Sequence, residues 1–151
     1  IKSIAEKGGV VQVCFYSGYL KIPEPNPVRD SLLNELQQKY QNYEDLPAEV
    51  QQKARAERYE INEKFPAKLA TVSDVVDHID HIVKIAGIDY AGIGTDFDGG
   101  GGVEGCIDAS EMKNITVELL KRGYSKEDIE KIWSGNFFRV FNEVEKFAEG
   151  N

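Results

Sequence analysis

Asp96 and Asp98 stand at the end of the short apolar run "AGIGT", and four glycines, Gly99 to Gly102, follow them directly. Three chemistries use acids and glycines in such company. A glycine-rich loop can cradle phosphate, a loop of carboxylates can hold calcium, and one carboxylate at a strand end can move a proton. The dinucleotide pattern G-x-G-x-x-G fails, because Gly92 and Gly94 fit but Phe97 occupies the place of the third glycine. No Gly-Lys-Ser/Thr follows, so the Walker pattern fails too. For calcium, Asp96, Asp98 and Gly101 match the first, third and sixth positions of an EF-hand loop. Its fifth position is then Gly100, with no side-chain ligand, and its last is Ile107 instead of a bidentate glutamate.

The third reading fits best. In a (β/α)8 barrel, functional side chains project from the C-terminal ends of the strands. Asp96 sits where the strand-like run "YAGIGT" stops. A carboxylate there can take a proton from an activated water or hold a substrate ammonium, and the glycines let the chain turn away without crowding a ligand. The plainer alternative is that Asp96 or Asp98 caps a turn through its own backbone.

Other chemistry-bearing residues are weaker. His78 and His81 lie at i and i+3 of a helical pattern and so are neighbours, but no third metal ligand is apparent nearby. Structural hydrogen bonding is the reading for both. Cys14 and Cys106 are in no metal-type spacing, and Cys14, inside an apolar run, reads as a buried structural thiol. Phe15, Tyr16 and Tyr19 follow a strand end and read as rim packing, with Tyr19 as a candidate pocket wall. Asn136 and Arg139 read as a helix cap or a buried ion pair, and Trp133 as core.

The elements that must position these residues follow from pattern. Residues 1–8 read as the tail of a helix stopped by Gly8-Gly9. "VVQVCFY", Val10 to Tyr16, is a strand, and "KIPEPNPVRD" with its three prolines is a loop. Residues 30–64 form two polar, exposed helices, a surface insertion, with Pro47 in the first turn of the second. "TVSDVVDHIDHIVKIAG" is a core helix, with Thr71 and Ser73 as possible caps and Val75, Val76, Ile79, Ile82, Val83 and Ala86 as its apolar face. A second short strand leads to Asp96. Asp108 and Glu111 are spaced as a capping box for the next helix, and Gly123 ends it. A last helical stretch breaks at Ser134-Gly135-Asn136. Strands separated by helices imply parallel pairing by crossovers. Two parallel strands are too few for an independent buried sheet, so the chain is expected to be part of a larger α/β fold.

The net charge of −8, from 26 acids against 18 bases, argues against a nucleic-acid partner. No apolar run approaches the roughly 20 residues of a membrane helix, and nothing in the chain decides its compartment.

"DHIDHIVKIAGIDYAGIGTDFDG" resembles the C-terminal region of the membrane (renal) dipeptidases, the M19 metallopeptidases. "VVQVCFYSGYL" is similar to the preceding strand of that family, and "SGNFFRVFNEVE" to its closing helix. The resemblance covers residues 1–22 and 70–148, while 23–69 match poorly. It implies the C-terminal portion, about two strands and their helices, of a metal-dependent (β/α)8 TIM barrel in one fragment, 1–151. The implied parent activity is hydrolysis of a dipeptide substrate by a hydroxide bridging two zinc ions. Asp96 then matches the family aspartate that contacts the bridging water and the substrate amine and passes the proton on, and Tyr19 a tyrosine near the substrate pocket. The family's zinc ligands belong to earlier strands and have no counterpart here. The fragment alone is therefore expected to be inactive, with its strand edges and apolar face covered by the rest of the parent barrel or by homo-oligomer formation. Rival readings are a different amidohydrolase-type hydrolase barrel and a non-catalytic interaction module.

Overall fold

The computed structural model describes residues 1–150, which divide into two units: residues 1–22 with 69–150, and Pro23–Lys68. In the first unit the short helix α1 (Lys2–Glu6) leads into strand β1 (Val11–Val13), which pairs in parallel with β2 (Ala91–Ile93). The register sets Val11 against Ala91, Gln12 against Gly92 and Val13 against Ile93. Each strand is shorter than its apolar run, because beyond Val13 the pairing turns irregular. Gly94 N–H still donates to the Val13 carbonyl (2.9 Å) and Phe15 N–H to that of Thr95 (3.0 Å).

A parallel pair needs a crossover that buries one sheet face. Helix α5 (Val72–Ala86) covers it, and its Val75, Val76, Ile79 and Ile82 are buried with Val13, Phe15 and Ala91 in one cluster. Burying each such side chain contributes about 1.5–3 kcal/mol. The helix starts at a reciprocal cap: Asp74 N–H donates to Thr71 Oγ1 (3.2 Å) and Thr71 N–H to Asp74 Oδ2 (2.7 Å). That backbone donor holds the Asp74 carboxyl below the usual range. Ser73 is not a cap; its hydroxyl accepts from Arg122 (2.7 Å).

Helices α6 (Lys113–Lys121), α7 (Lys126–Glu130) and α8 (Asn136–Glu149) complete the unit, and Ile115, Leu119, Ile129 and Ile132 extend the core. Trp133 lies half-buried at the core margin, its Nε1–H donating to Thr116 Oγ1 (2.9 Å). Two expectations are corrected here. Asp108 and Glu111 do not form a capping box. The short Asp108 side chain accepts from the Ser110 N–H (2.8 Å) and hydroxyl (2.6 Å), closing a 3-10 turn, while Glu111 accepts from Ile107 N–H (2.8 Å). The helix does not break at Ser134-Gly135-Asn136 either. One wide π turn (Lys131–Gly135) carries it into α8, with Asn136 N–H bonding the Lys131 carbonyl.

That turn explains Asn136 and Arg139, neither of which is a cap. Asn136 is 3% exposed, and its amide donates to the carbonyls of Ile88 (2.7 Å) and Ala91 (2.8 Å), clasping the start of β2. The Arg139 guanidinium donates to the carbonyls of Gly8 (2.6 Å), Gly9 (3.3 Å) and Asp89 (2.9 Å), and its Glu143 neighbour is 4.0 Å away. Beyond this clasp, α8 presents exposed Phe137, Phe138, Phe141, Val144 and Phe147. Phe137, Val140, Phe141 and Val144 line an apolar groove of about 440 Å³ with Val10 and Gln12. Among the described residues the sheet has two strands, and no helix is long and apolar enough to cross a membrane.

The second unit is a helix pair, α3 (Pro27–Lys39) and α4 (Ala48–Lys64). The proline-rich loop is shorter than expected, because Pro27 suits a helical first position and Asn26 accepts from Arg29 N–H (3.1 Å), so residues 27–30 are helical. Pro47 stands at the cap of α4, not inside its first turn. Lys39 and Tyr40 both bond Glu57 (2.7 and 3.0 Å), and Ala54 is the buried hydrophobic residue of the pair.

Candidate active site

The site is built where the two strands run out. Past β2 the chain makes the Thr95 contact to Phe15 and then turns at Asp96, a left-handed residue (φ 66°, ψ 33°). Aspartate tolerates that region better than most side chains. The turn curls around the Asp96 carbonyl, which accepts from Gly99 N–H (3.0 Å) and Gly101 N–H (2.7 Å). A Cβ on Gly101 would overlap the Thr95 carbonyl oxygen and stand 2.6 Å from that of Asp96, so this glycine is demanded by close backbone approach. The chain then returns to the strands: Gly102 N–H donates to the Phe15 carbonyl (3.0 Å), and Gly102 bridges Tyr16. Phe97 packs edge-on to the fully buried Phe15, with centroids 6.2 Å apart.

Asp96 therefore has a fixed backbone and an exposed side chain. Its Oδ2 accepts from the Cys14 thiol (Sγ to Oδ2 3.5 Å), and the same sulfur accepts the Tyr16 N–H (3.4 Å). Cys14 is half-exposed, not buried as expected. Val13 and Phe15 on either side take the core positions, and side chains alternate along a strand. Asp98 is exposed in the 3-10 turn after Asp96.

Tyr19 lies in a short helix, α2 (Ser17–Leu20), and is 74% exposed. Its ring meets Tyr16 edge-to-face at 4.9 Å. The Ser17 hydroxyl steadies this corner, donating to the Gly102 carbonyl (3.2 Å) and accepting from Ala70 N–H (3.1 Å). Cys14, which bonds Asp96, lines a shallow hollow of about 200 Å³ together with Tyr19, His78 and His81. The sequence carries a signal for the place of Cys14 but none for Ser17. Cys14 is two residues from the exposed Gln12 and between two core positions, so strict alternation puts it off the core face.

His78 Nε2 hydrogen-bonds the Leu20 carbonyl (2.9 Å), and His81 is exposed. Among the described residues no group of three or more His, Cys, Asp or Glu side chains could hold a metal ion. The second thiol, Cys106, is buried, and burial pushes it above the ordinary thiol range. The residues present thus do not make a metal pair site by themselves. What the arrangement can do is present one ionisable carboxylate, with a thiol donor behind it, at the open end of two parallel strands.

The model of the membrane dipeptidases, peptidase family M19, matches residues 1–151. The chain belongs to that family. Among curated relatives, Dipeptidase tcpJ of Claviceps purpurea (strain 20.1) is 44% identical over 89 residues, which are 58% of this chain and 21% of that protein. Dipeptidase 3 of Homo sapiens is 43% identical over 82 residues, 54% of this chain and 17% of that protein. The crystal structure of the probable dipeptidase PvdM from Pseudomonas aeruginosa superposes with a TM-score of 0.73 at 34% identity. That match covers 95% of this M19 chain and 39% of the PvdM chain. The matched stretch of this chain thus spans about a fifth of the length of these curated dipeptidases.

Proposed function

We propose that this chain supplies the last two strands of a (β/α)8 hydrolase barrel that cleaves dipeptides, and that Asp96 is its reacting acid. The observation that carries this is the Asp96 carboxylate, held by a fixed left-handed turn at the end of β2 in a chain of a dipeptidase family. As a base, Asp96 accepts the proton of the attacking water and gives it to the departing amine; as an anion, it also attracts the substrate ammonium. Tyr19, on the rim, forms part of the pocket wall. The family's zinc ligands belong to earlier strands, so the zinc that the resemblance implies is assigned to residues outside this chain, and the 151 residues alone are expected to be inactive. The remaining strands of the barrel then pair the free edges of β1 and β2 and cover the groove beside α8.

The test is turnover of a small panel of L,L- and L,D-dipeptides by the full-length protein, wild type and Asp96→Asn, with and without a chelator. The proposal expects turnover in the wild type, loss in the variant with its fold intact, and loss with the chelator. A wild type that cleaves no dipeptide but does cleave other amides or lactones would move the chain to another amidohydrolase-type reaction. Undiminished turnover by Asp96→Asn would remove Asp96 from the chemistry.

A further inference from the structure

We infer that Cys14 is a positioning residue for the Asp96 carboxylate, its thiol donating to Oδ2 and holding the side chain in the rotamer that meets the reacting proton. The inference rests on the reading of Asp96 as the reacting acid.

The two residues are 82 positions apart in sequence, yet their side chains meet at 3.5 Å. Both backbones are fixed before the side chains meet. Cys14 lies between buried Val13 and fully buried Phe15, and the Phe15 amide is tied to Thr95. Asp96 is pinned by two glycine amides on its carbonyl. The remaining freedom of Asp96 is rotation of its own side chain, and among the described residues the thiol is the hydrogen-bond partner of that carboxylate. The direction of the bond follows from the partners: an ionised carboxylate only accepts, so the thiol donates its S–H to Oδ2 while the sulfur accepts the Tyr16 N–H. Hydrogen bonds in such a chain polarise one another. An S–H is a weak donor, which suits a group that orients a carboxylate without holding it tightly.

The experiment compares Cys14→Ala and Cys14→Ser with wild type in the full-length protein, reading kcat and KM for dipeptide hydrolysis. The infrared S–H stretching band of Cys14 is followed in parallel in wild type and Asp96→Asn, and assigned by its loss in Cys14→Ser. We expect Cys14→Ala to lower kcat about two- to tenfold, the worth of one hydrogen bond, with KM nearly unchanged. Cys14→Ser, which keeps a donor, should recover most of that loss. In Asp96→Asn the S–H band should move toward the position of a weakly bonded thiol. Wild-type kcat in Cys14→Ala, equal impairment of the alanine and serine variants, or an unmoved band would each overturn the inference. Failure of the underlying reading looks different. Asp96→Asn would then keep full turnover, and Cys14 would lose its part in catalysis even where the band moves.

Discussion

Asn136 is the residue whose replacement most directly tests the architecture around β2. Its amide places two donors on the carbonyls of Ile88 and Ala91, at 2.7 and 2.8 Å, in a position that is 3% exposed. Asn136→Ala removes both donors and leaves both acceptors where water reaches poorly. A stranded buried acceptor costs about 1–3 kcal/mol. Ala91 is fully buried and Ile88 only partly so, so the second loss falls at the low end, and the sum is about 2–4 kcal/mol. For a domain of this size each kcal/mol lowers Tm by about 2–4 °C, so the variant should melt about 5–15 °C below wild type. Asn136→Asp is the sharper control. It keeps the shape but sets carboxylate oxygens against carbonyl oxygens, so at neutral pH it should be at least as damaging as alanine. Thermal unfolding by circular dichroism and urea midpoints provide the measurement. The reasoning fails where both variants stay within about 0.5 kcal/mol of wild type, or where aspartate is tolerated better than alanine.

Three more outcomes follow from the same geometry. Gly101→Ala should open the Asp96 turn and lower both stability and turnover, because the new Cβ meets the Thr95 and Asp96 carbonyls. Gly100→Ala has open space around it and should lose only about 1 kcal/mol for its positive φ, and equal effects in denaturant and activity assays would contradict this. Tyr124 donates to Asp80 (2.6 Å), and burial together with that carboxylate pushes its phenol well above the ordinary range. Its folded value is raised, so its contribution is present below about pH 10 and lost as pH rises through the folded value. The stability gap between wild type and Tyr124→Phe should therefore be constant near neutrality and shrink in strong alkali, as denaturant titrations would show. Asp74 has the opposite sign. Its lowered value makes its contribution present above about pH 4 and lost as pH falls through the folded value, so Asp74→Asn should flatten the acid limb of the stability curve.

Helix α5 was legible in the sequence except for its exact start. Its 3.6-residue period picked out Val75, Val76, Ile79 and Ile82, because one long amphipathic element against one sheet leaves little else to decide, while Thr71 and Ser73 were both open as caps and Thr71 takes the place. Parallel pairing of the two runs was legible for a similar reason, since helices separate them. Local chemistry with two solutions was not legible. Asp108 could reach Ser110 or the third residue on, and the shorter reach won. Ser134 and Gly135 look like a stop, yet a helix can absorb them by widening one turn when flanking core residues such as Ile132 hold it in place. Asn136 was hidden because a short polar residue near a helix start resembles a cap, and the carbonyls it serves lie about 45 residues away in sequence. At the candidate site, Asp96 stood out by its place where the strand-like run stops, and the structure puts it just past β2. Cys14 was hidden by its apolar neighbours, and its proximity to Asp96 exists only once β1 and β2 are side by side.

The wide turn at Lys131–Gly135 also makes α7 and α8 inseparable in any exchange of segments between relatives. A π turn is a phase shifter: it slips one extra residue into the count, and everything after it is rotated by about 100° relative to an uninterrupted α-helix. Deleting one residue there would give a more regular helix and a misaligned one. The Asn136 amide would swing off Ile88 and Ala91, Arg139 would leave Gly8 and Gly9, and a different side of α8 would meet the sheet. A chimera that joins two family members between residues 126 and 139 must therefore conserve the residue count of that block, while a junction in the exposed last turns of α8 carries no such constraint.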